Sequence, residues 1–393
     1  MDGKPIRPSE DPGSSHAEGP APDANQACTS SEPESDNESD GEASIKSTRS
    51  YSPLSFQYIE ENGRRYCDDT YFMPNDETEL TRLNIVHQIY LMVLDGRLTT
   101  APVISKNPRI LDIGTGPGDW AIEMSAEYPA ATIIASDLGV FDSGLGHIAL
   151  PNIDFQLADA RTEWTYHEPF DLIHMRGLSG AFPDWHSIYQ QAHAHLKPGG
   201  YIEVADADPA GDTVSFSASS ATSYLNIYAA ALRAAATEVG YPRDLHHLHP
   251  EVLTAAGFVD VCVLERMIPI GLWPEDLHEK TMGKMALIAL LESLEAYALR
   301  PLTRSGKYSP AEAQELCDNV KAELMGAQGL RAHVRVVTAR KAIPFAQKRQ
   351  EVMARAMKKV QALITEDEGG DMTPGLPWDA KTEEKEGGGN AKE

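Results

Sequence analysis

The sequence predicts an α/β fold in which a doubly wound, mostly parallel sheet carries helices on both faces. Short apolar segments alternate with helical patterns over residues 107–206, which is typical of parallel strands joined by crossover helices. The first segment runs into a glycine-rich turn that opens a helix, and turns of this kind form ligand sites in such folds. Two further apolar segments, separated by a long helical region, extend the pattern beyond residue 250.

An N-terminal helical cap is expected over residues 56–106, before the sheet. Asp76 is a favoured N-cap residue, and Glu79 follows three positions later, as in a capping box. Apolar residues then recur at helical spacing as far as Val93, and Gly96 supplies a stop signal. We therefore expect one amphipathic helix in this cap.

The sheet itself is expected within a domain of residues 107–343. Helical patterns occupy about 219–239 and 276–327, between the fifth strand and the last. A basic amphipathic helix, residues 345–363, is expected to follow the domain. The predicted strands are Arg109–Ile113, Thr132–Ser136, Ile153–Leu157, Leu172–Met175, Tyr201–Val204, Phe258–Leu264 and His333–Ala339.

The charge of the chain is concentrated at its ends. The net charge is −25, from 59 acidic and 34 basic residues. Residues 1–55 hold 11 acids against 4 bases, and residues 364–393 hold 9 against 3. Both ends have the composition of disordered acidic tails, which could contact a regulatory protein partner. Because proteins that bind phosphates need positive surfaces, we expect no nucleic-acid partner.

The remaining composition indicates no metal site, no disulfide framework and no membrane contact. The four cysteines lack paired spacing. The cluster His246–His249 has no Cys or acid at ligand spacing, and we interpret it as a surface loop. Neither a signal peptide nor a run of roughly twenty apolar residues is present. We expect the protein in the cytoplasm or the nucleus.

The glycine-rich turn indicates which ligand the fold binds. A dinucleotide fingerprint requires its third glycine at position 119, where this chain has Asp119. Bare backbone beside an acid suits a partly cationic ligand without a pyrophosphate, and we expect a Cβ on any of the three glycines to fill the ligand's space. S-adenosylmethionine, with its sulfonium and α-ammonium groups, fits this description. The residues assigned to the cofactor here are Asp112, Gly114, Thr115, Gly116 and Gly118.

Two further strand ends complete the predicted cofactor site. Asp137 follows the second strand, with Leu138 beside it, and its carboxylate can accept two hydrogen bonds from ribose hydroxyls. Asp159 follows the third strand and can accept from the adenine amino group. The backbone N–H near Ala160 is then placed for a ring nitrogen.

Several short motifs are spread over the predicted cap and sheet. They are Glu60–Tyr66, Pro74–Glu77, Arg82–His87, Asp112–Gly116, Glu163–Tyr166, Asp171–His174, Asp184–Trp185, Leu196–Glu203 and Pro269–Pro274. Together they resemble the class I S-adenosylmethionine-dependent methyltransferases, and more narrowly the fungal LaeA-like group. The resemblance covers about 58–341 and implies a seven-stranded Rossmann-like sheet whose last strand is antiparallel. It also implies that helices 276–327 form an insertion near the substrate.

The candidates for the transfer chemistry follow the fourth and fifth strands. His174 is a candidate base, although its place inside an apolar strand favours a hydrogen-bonded core histidine. Arg176 can hold an acidic acceptor or pair with an acid such as Asp206. Asp206 and Asp208 alternate after the fifth strand and can face the methyl donor. A base is needed only for an acceptor group that is protonated at working pH.

The leading hypothesis is a methyltransferase that acts on a small organic acceptor in fungal secondary metabolism. A LaeA-type nuclear regulator that works in a protein complex is the alternative, and the resemblance together with the acidic tails motivates it. A third possibility keeps the cofactor as a scaffold for another reaction. The chain lacks the Asn/Asp-Pro-Pro-aromatic signature after the fourth strand, so a nucleic-acid methyltransferase is not expected.

Overall fold

The structure is a computed structural model and describes residues 58–139, 141, 150–208, 223–345, 349 and 353–359. The strands within these ranges are β1 (Ile59–Glu61), β2 (Arg64–Tyr66), β3 (Arg109–Ile113), β4 (Thr132–Asp137), β5 (Ile153–Leu157), β6 (Phe170–Arg176), β7 (Leu196–Asp208), β8 (Phe258–Pro269) and β9 (Arg331–Lys341). The α-helices are α1 (Glu77–Val93), α2 (Asp119–Glu127), α3 (Trp185–His195), α4 (Tyr224–Glu238), α5 (Pro250–Ala255), α6 (Leu277–Arg304) and α7 (Pro310–Gly326).

Strands β3 to β9 form one seven-stranded sheet in the order β5-β4-β3-β6-β7-β9-β8. Strands β3 to β7 pair in parallel, whereas β9 runs antiparallel to both of its neighbours. The predicted sheet with an antiparallel last strand is confirmed. The strand order reverses between β3 and β6, and in doubly wound sheets a crevice opens there at the carboxyl ends.

Helices cover both faces of the sheet because its strands carry apolar side chains in both directions. On one face Trp120 and Met124 of α2 pack against Ile110 and Ile133. Helices α3 and α5 cover the opposite face. A third cluster joins α1, α4, α6 and α7 to β7, β8 and β9. This third cluster surrounds one side of the site described below.

The antiparallel part of the sheet is longer than its apolar runs predict. The strand expected at Tyr201–Val204 is β7, which extends to Asp208, and β8 extends to Pro269. The pairing of β7 and β8 with β9 continues past the ends of the parallel strands, where every second antiparallel residue pair adds ladder hydrogen bonds. These extensions form a wall beyond the carboxyl edge of the parallel strands.

The N-terminal cap begins with a two-stranded hairpin that the sequence analysis did not predict. β1 pairs with β2 around Asn62 and Gly63, whose φ angles are +52° and +73°. Asn-Gly is the sequence signature of such a turn. The signal was therefore present, but three-residue strands are too short to show an alternating pattern.

Helix α1 has the predicted N-cap at Asp76 but lacks the second hydrogen bond of the predicted capping box. The Asp76 side chain accepts a hydrogen bond from the Glu79 backbone N–H at 3.0 Å. The Glu79 carboxylate does not return to the cap, and instead accepts from Arg82 at 2.6 and 2.8 Å. Both side chains are buried, and a buried charge needs a partner. The expected capping box is therefore only half formed.

Some expectations fall on residues that the structure does not describe. The tails at 1–55 and 364–393 lie outside the described ranges, as do residues 360–363 of the expected basic helix and residues 219–222 of the expected helix whose remainder contains α4. Of the basic helix, residues 353–359 are helical and exposed. Within the described ranges, no helix combines the length and apolar character of a membrane span, and no three His, Cys, Asp or Glu side chains are grouped for a metal ion.

Candidate active site

A cavity of about 250 Å³ lies at the carboxyl ends of β3, β4, β6 and β7. The strand-order reversal predicts a crevice at this place. The cavity wall contains all the predicted site residues except Gly118 and Asp208. These residues are Asp112, Gly114, Thr115, Gly116, Asp137, Leu138, Asp159, Ala160, His174, Arg176 and Asp206.

The three glycines of the loop after β3 serve different purposes. Gly116 has a φ of +58°, and a Cβ added there would have its nearest atom, in Leu83, at an ordinary contact distance of 3.5 Å, so this position has room for a Cβ. A Cβ at Gly114 would overlap the Leu178 side chain, and one at Gly118 would lie 2.8 Å from Phe155. The expectation that every glycine keeps space for the ligand is thus wrong for Gly118, which begins α2 outside the cavity wall. At Gly114 the close neighbour is also a protein side chain.

Asp137 braces the loop from the end of β4. Its Oδ2 accepts from the Gly116 N–H at 2.8 Å, and its Oδ1 accepts from the Gly139 N–H at 2.9 Å. Each oxygen keeps a second lone pair for a ligand hydroxyl. Burial raises the pKa of Asp137, and the two N–H donors offset only part of this effect. Ribose hydroxyls would act in the same direction as those donors, by stabilising the ionised carboxylate.

Asp112 and His174 form a buried pair at the ends of β3 and β6. His174 Nδ1 lies 2.7 Å from Asp112 Oδ1, and both side chains are at most 3% exposed. The Trp120 ring stacks on the imidazole with a centroid distance of 3.7 Å, and its N–H donates to the Leu98 carbonyl. The geometry agrees with a hydrogen-bonded core histidine. Trp120 both packs at the start of α2 and lines the cavity.

Asp159 lies in the cavity wall with its carboxylate already engaged. Arg161 donates to it from the backbone N–H and from the guanidinium, at 2.8 to 3.0 Å. Burial raises the pKa of Asp159, but these bonds outweigh burial and hold the pKa below its ordinary value. Contact with adenine stays a prediction for Asp159 and for Ala160, whose carbonyl accepts from Trp164.

A segment that the sequence analysis did not assign to the site covers the cavity. Residues 67–74, here called the strap, follow β2, and Tyr71, Phe72 and Met73 line the cavity. Arg300 of α6 fixes the strap, because its guanidinium donates to the carbonyls of Asp68 and Tyr71 at 2.9 and 2.6 Å. Because Arg300 lies far along the chain from the strap, no local pattern in the sequence indicates this contact.

The cavity has a polar half and an apolar half. The polar half contains the loop after β3 and the ends of β4 and β5. The apolar half, here called the chamber, is walled by α1, α6 and the extended parts of β8 and β9. Its apolar side chains include Ile89, Val93, Ala286, Leu290 and Val334.

Arg176 lies at the end of β6 and points into the cavity wall. Its guanidinium donates to His87 Nδ1 at 3.0 Å and stacks over the Tyr90 ring, and it forms no ion pair with a carboxylate of the described residues. Burial lowers the pKa of Arg176. Burial and the neighbouring Arg176 also lower the pKa of His87. A neutral His87 can accept the bond from Arg176, and the guanidinium keeps donors for an anion.

Asp206 is bonded to the histidine cluster that the sequence analysis placed in a surface loop. His247 lies in a short 3-10 helix, His246–Leu248, and its Nε2 is 2.8 Å from Asp206 Oδ2. Both side chains are at most 4% exposed. The Trp185 ring stacks on His247 at 4.1 Å. The surface-loop interpretation is therefore wrong for His247, which is buried and bonded to the buried Asp206 carboxylate. Arg176 and Asp206 do not pair with each other, because Arg176 bonds to His87 and Asp206 bonds to His247.

The loop and its neighbours fit the predicted cofactor. The Thr115 hydroxyl is buried in the cavity wall without a hydrogen-bonding partner in the described part of the chain. Gly116 leaves space beside it, Asp112 and Asp119 supply negative charge, and Asp137 supplies acceptors for a sugar. An adenosyl sulfonium has ribose hydroxyls, which need acceptors, and a cationic end, which needs anions. The carboxylates and the Thr115 hydroxyl supply these groups.

The comparisons with known proteins agree with this geometry. A family model described as a methyltransferase domain matches residues 85–263. The methyltransferase pytC of Aspergillus terreus is 31% identical over 276 residues, which are 68% of this chain and 83% of that protein. The secondary metabolism regulator LAE1 of Cochliobolus heterostrophus is 34% identical over 67% of this chain and 88% of its own length. The protein-methionine methyltransferase laeA of Emericella nidulans is 30% identical, over 68% and 72% respectively.

Proposed function

Because this chain belongs to the fungal LaeA-like family of S-adenosylmethionine-dependent methyltransferases, we propose that it methylates a small organic acceptor in secondary metabolism. The methyltransferase activity follows from the family. The acceptor and the biosynthetic role are the proposal. The relative named methyltransferase pytC and the shape of the cavity both support it.

The chamber is the observation that carries the proposal. It continues from the loop after β3 into a space walled by apolar side chains of α1, α6 and β9 and covered by the strap. Burying apolar surface there is favourable by roughly 25 cal/mol per Å². An acceptor with an apolar body gains this free energy, whereas a peptide backbone would bring polar groups that lose their water.

The residues of the cavity divide the work between holding and orienting. Bound S-adenosylmethionine supplies an electrophilic methyl group. Asp137 and Gly116 hold the sugar end, and Asp112 and Asp119 supply charge opposite the cationic end. The chamber holds the acceptor's body, and Arg176 offers an anion site at the boundary. Transfer is fast when acceptor and methyl group are held at attack distance, so much of the acceleration comes from this positioning.

The first test is binding followed by transfer. Titration calorimetry on the full chain should show S-adenosylhomocysteine binding that Asp137→Ala weakens. The protein is then incubated with [methyl-¹³C]S-adenosylmethionine and a small-molecule extract of a strain that lacks it. We expect labelled small-molecule products. Label found only in protein would contradict a small acceptor.

A matched pair of variants on α6 tests the chamber. Ala286→Phe fills the chamber, and Ile288→Phe changes the exposed face of the same helix. We expect the first to abolish labelling while it keeps S-adenosylhomocysteine binding, and the second to keep both. Equal labelling by the two variants would contradict acceptor binding in the chamber.

A regulatory role is the second candidate, since relatives such as LAE1 are named secondary metabolism regulators. In that role the protein acts in the nucleus with a protein partner. Deletion of the gene separates the two candidates. A biosynthetic enzyme leaves one pathway stopped at an unmethylated intermediate, whereas a regulator changes many metabolite families together. Nuclear accumulation of the tagged protein would accompany the second outcome.

A further inference from the structure

We propose that Asp206 takes the proton of the acceptor group and that His247 is its positioning residue. The inference rests on the proposed small-molecule function and deepens it. A base is required only when the methylated group carries a proton that must leave. The methylated group is then a hydroxyl, an ammonium or an enol, and not a carboxylate.

Asp206 lies on the acceptor side of the cavity. Six described carboxylates line the main cavity. Among them, only Asp206 also lines a smaller adjoining cavity of about 70 Å³. That smaller cavity is walled by α4 and α6, with Leu290, Ser293 and Tyr297 shared between the two. Asp206 therefore lies at the end of β7 beside α6, the helix that also walls the chamber in which we place the acceptor.

The other cavity carboxylates have different tasks. Glu79 is paired with Arg82, and Asp159 with Arg161. Asp112 bonds a histidine, as Asp206 does, but it lies at the end of β3 directly before the cofactor loop. Asp137 and Asp119 belong to the cofactor loop and its helix. Asp206 Oδ2 bonds to His247 Nε2, and Asp206 Oδ1 has only a long contact of 3.4 Å from the Ser179 N–H. Its Oδ1 can therefore accept a proton from a ligand.

The His247 imidazole has a second contact besides Asp206. Its ring stacks on Trp185 with a centroid distance of 4.1 Å. His247 does not line the cavity, so it acts on the reaction through Asp206. With Asp206 ionised, the proton of their bond lies on Nε2, and this donor keeps Oδ1 turned towards the cavity.

The step balances without a further reactant. The acceptor's X–H bond breaks, its proton goes to Asp206 Oδ1, and the electron pair left on X forms the bond to the methyl carbon. The sulfur–methyl bond of S-adenosylmethionine breaks, and its electron pair stays on sulfur. The products are the methylated acceptor, S-adenosylhomocysteine and a protonated Asp206 that returns its proton to water.

Four variants of the full chain test the pair on the acceptor purified from the extract by following its label. Asp206→Asn should lower kcat by about 10²- to 10⁴-fold, as expected for loss of a base. His247→Leu should lower kcat by up to about 100-fold through misplacement of Asp206. His247→Gln keeps an N–H donor and should recover most of this loss. Tyr189→Phe removes only the hydrogen bond of 2.9 Å from the Tyr189 hydroxyl to the His247 backbone carbonyl. It leaves the imidazole and its bond to Asp206 unchanged, so this variant should stay near the unsubstituted protein.

Readouts separate positioning from folding. KM for the acceptor, S-adenosylhomocysteine affinity and the melting temperature should change little in His247→Gln, while kcat follows the donor at position 247. The labelled product is also treated with mild alkali, which hydrolyses a methyl ester and leaves a methyl ether or methylamine intact. We expect an alkali-stable product.

Three results would overturn the inference. One is a His247→Leu protein as active as Tyr189→Phe, and another is a His247→Gln protein as slow as His247→Leu. The third is an alkali-labile methyl ester. If the protein binds S-adenosylhomocysteine but labels no small molecule, the proposed function itself fails and the inference fails with it, a result that differs from all three.

Discussion

The polar half of the cavity and the chamber differ in the distances along the chain that separate their residues. In the polar half, Asp112, Gly116 and Asp119 belong to one strand–turn–helix unit, and Asp137 follows at the next strand. Beside the chamber, at the ends of β7 and β6, Asp206 bonds to His247, which is 41 positions away along the chain, and Arg176 bonds to His87, which is 89 positions away. A local turn can encode a common cofactor, whereas a particular acceptor is recognised by elements that only tertiary packing brings together.

The largest expected effect is a loss of stability when the strap loses its contact with Arg300. Arg300 lies 2.9 Å from Glu61 and holds the strap, and its side chain is 2% exposed. Arg300→Met should reduce the free energy of unfolding by about 3 kcal/mol, because it removes the buried one of two guanidinium partners of Glu61 and leaves two strap carbonyls without their donor. Urea denaturation measures this loss.

Arg304 supplies the matched control for Arg300. It contacts the same Glu61 carboxylate but is 37% exposed. Arg304→Met should cost at most about 1 kcal/mol, as exposed ion pairs do. Equal losses of unfolding free energy in the two variants would mean that the buried Arg300 contributes no more to stability than an exposed ion pair does.

The next effect is a loss of cofactor affinity, and it tests the polar half of the cavity alone. Gly116→Val introduces a branched side chain at a φ of +58° and into the open space of the loop. S-adenosylhomocysteine affinity should fall by about 100-fold, measured by calorimetry.

Gly118→Ala is the counterpart for Gly116→Val, since its Cβ would meet Phe155 and not the cavity. It should lower the melting temperature and keep the affinity of the folded protein. A larger loss of affinity in this variant would contradict the different roles assigned to the two glycines.

Arg176 sharpens the boundary between the halves. Arg176→Gln removes the cation while Tyr90 and His87 stay in place. A charged hydrogen bond contributes about 1.5–3 kcal/mol, so we expect a roughly 10- to 100-fold rise in the acceptor's KM. S-adenosylhomocysteine affinity should not change. A loss of that affinity instead would assign Arg176 to the carboxylate of the cofactor and move the boundary.

The smallest effect is a pH dependence of cofactor affinity. The pKa of Asp137 is raised in the free protein, and ribose hydroxyls favour its ionised form, so binding lowers this pKa. Affinity is then constant above the raised pKa and falls as the pH drops below it, with a slope approaching about tenfold per pH unit. Calorimetry between neutral and acid pH measures it. Asp137→Asn should bind more weakly and show a flatter profile.

Most of the sheet was predictable because its strands are apolar runs ended by turn residues. The cofactor loop was predictable for a related reason, since Asp112, Thr115 and Gly116 are neighbours in one strand–turn–helix unit. The predicted role of Gly118 failed, since the sequence does not show that Phe155 lies against it. The hairpin at Asn62–Gly63 was missed although its turn signature is present.

Arg176 and Asp206 were identified by their places at strand ends, but their partners were not. His87 lies inside the helical pattern of α1, and His247 stands in a cluster that looks like an exposed loop. Arg300 lies in the middle of a long helix with no special motif around it. None of these side chains has a local pattern that distinguishes it from a surface residue.

The sequence by itself determined the order of strands and helices, the bare turn after β3 and the acids at the strand ends, because hydrophobic periodicity and turn geometry act over a few residues. Only the tertiary structure decided which buried charges meet, how the strap closes over the cavity and which apolar faces form the chamber. Those contacts depend on packing and on the cost of burying a charge without a partner, and both are set by neighbours distant along the chain.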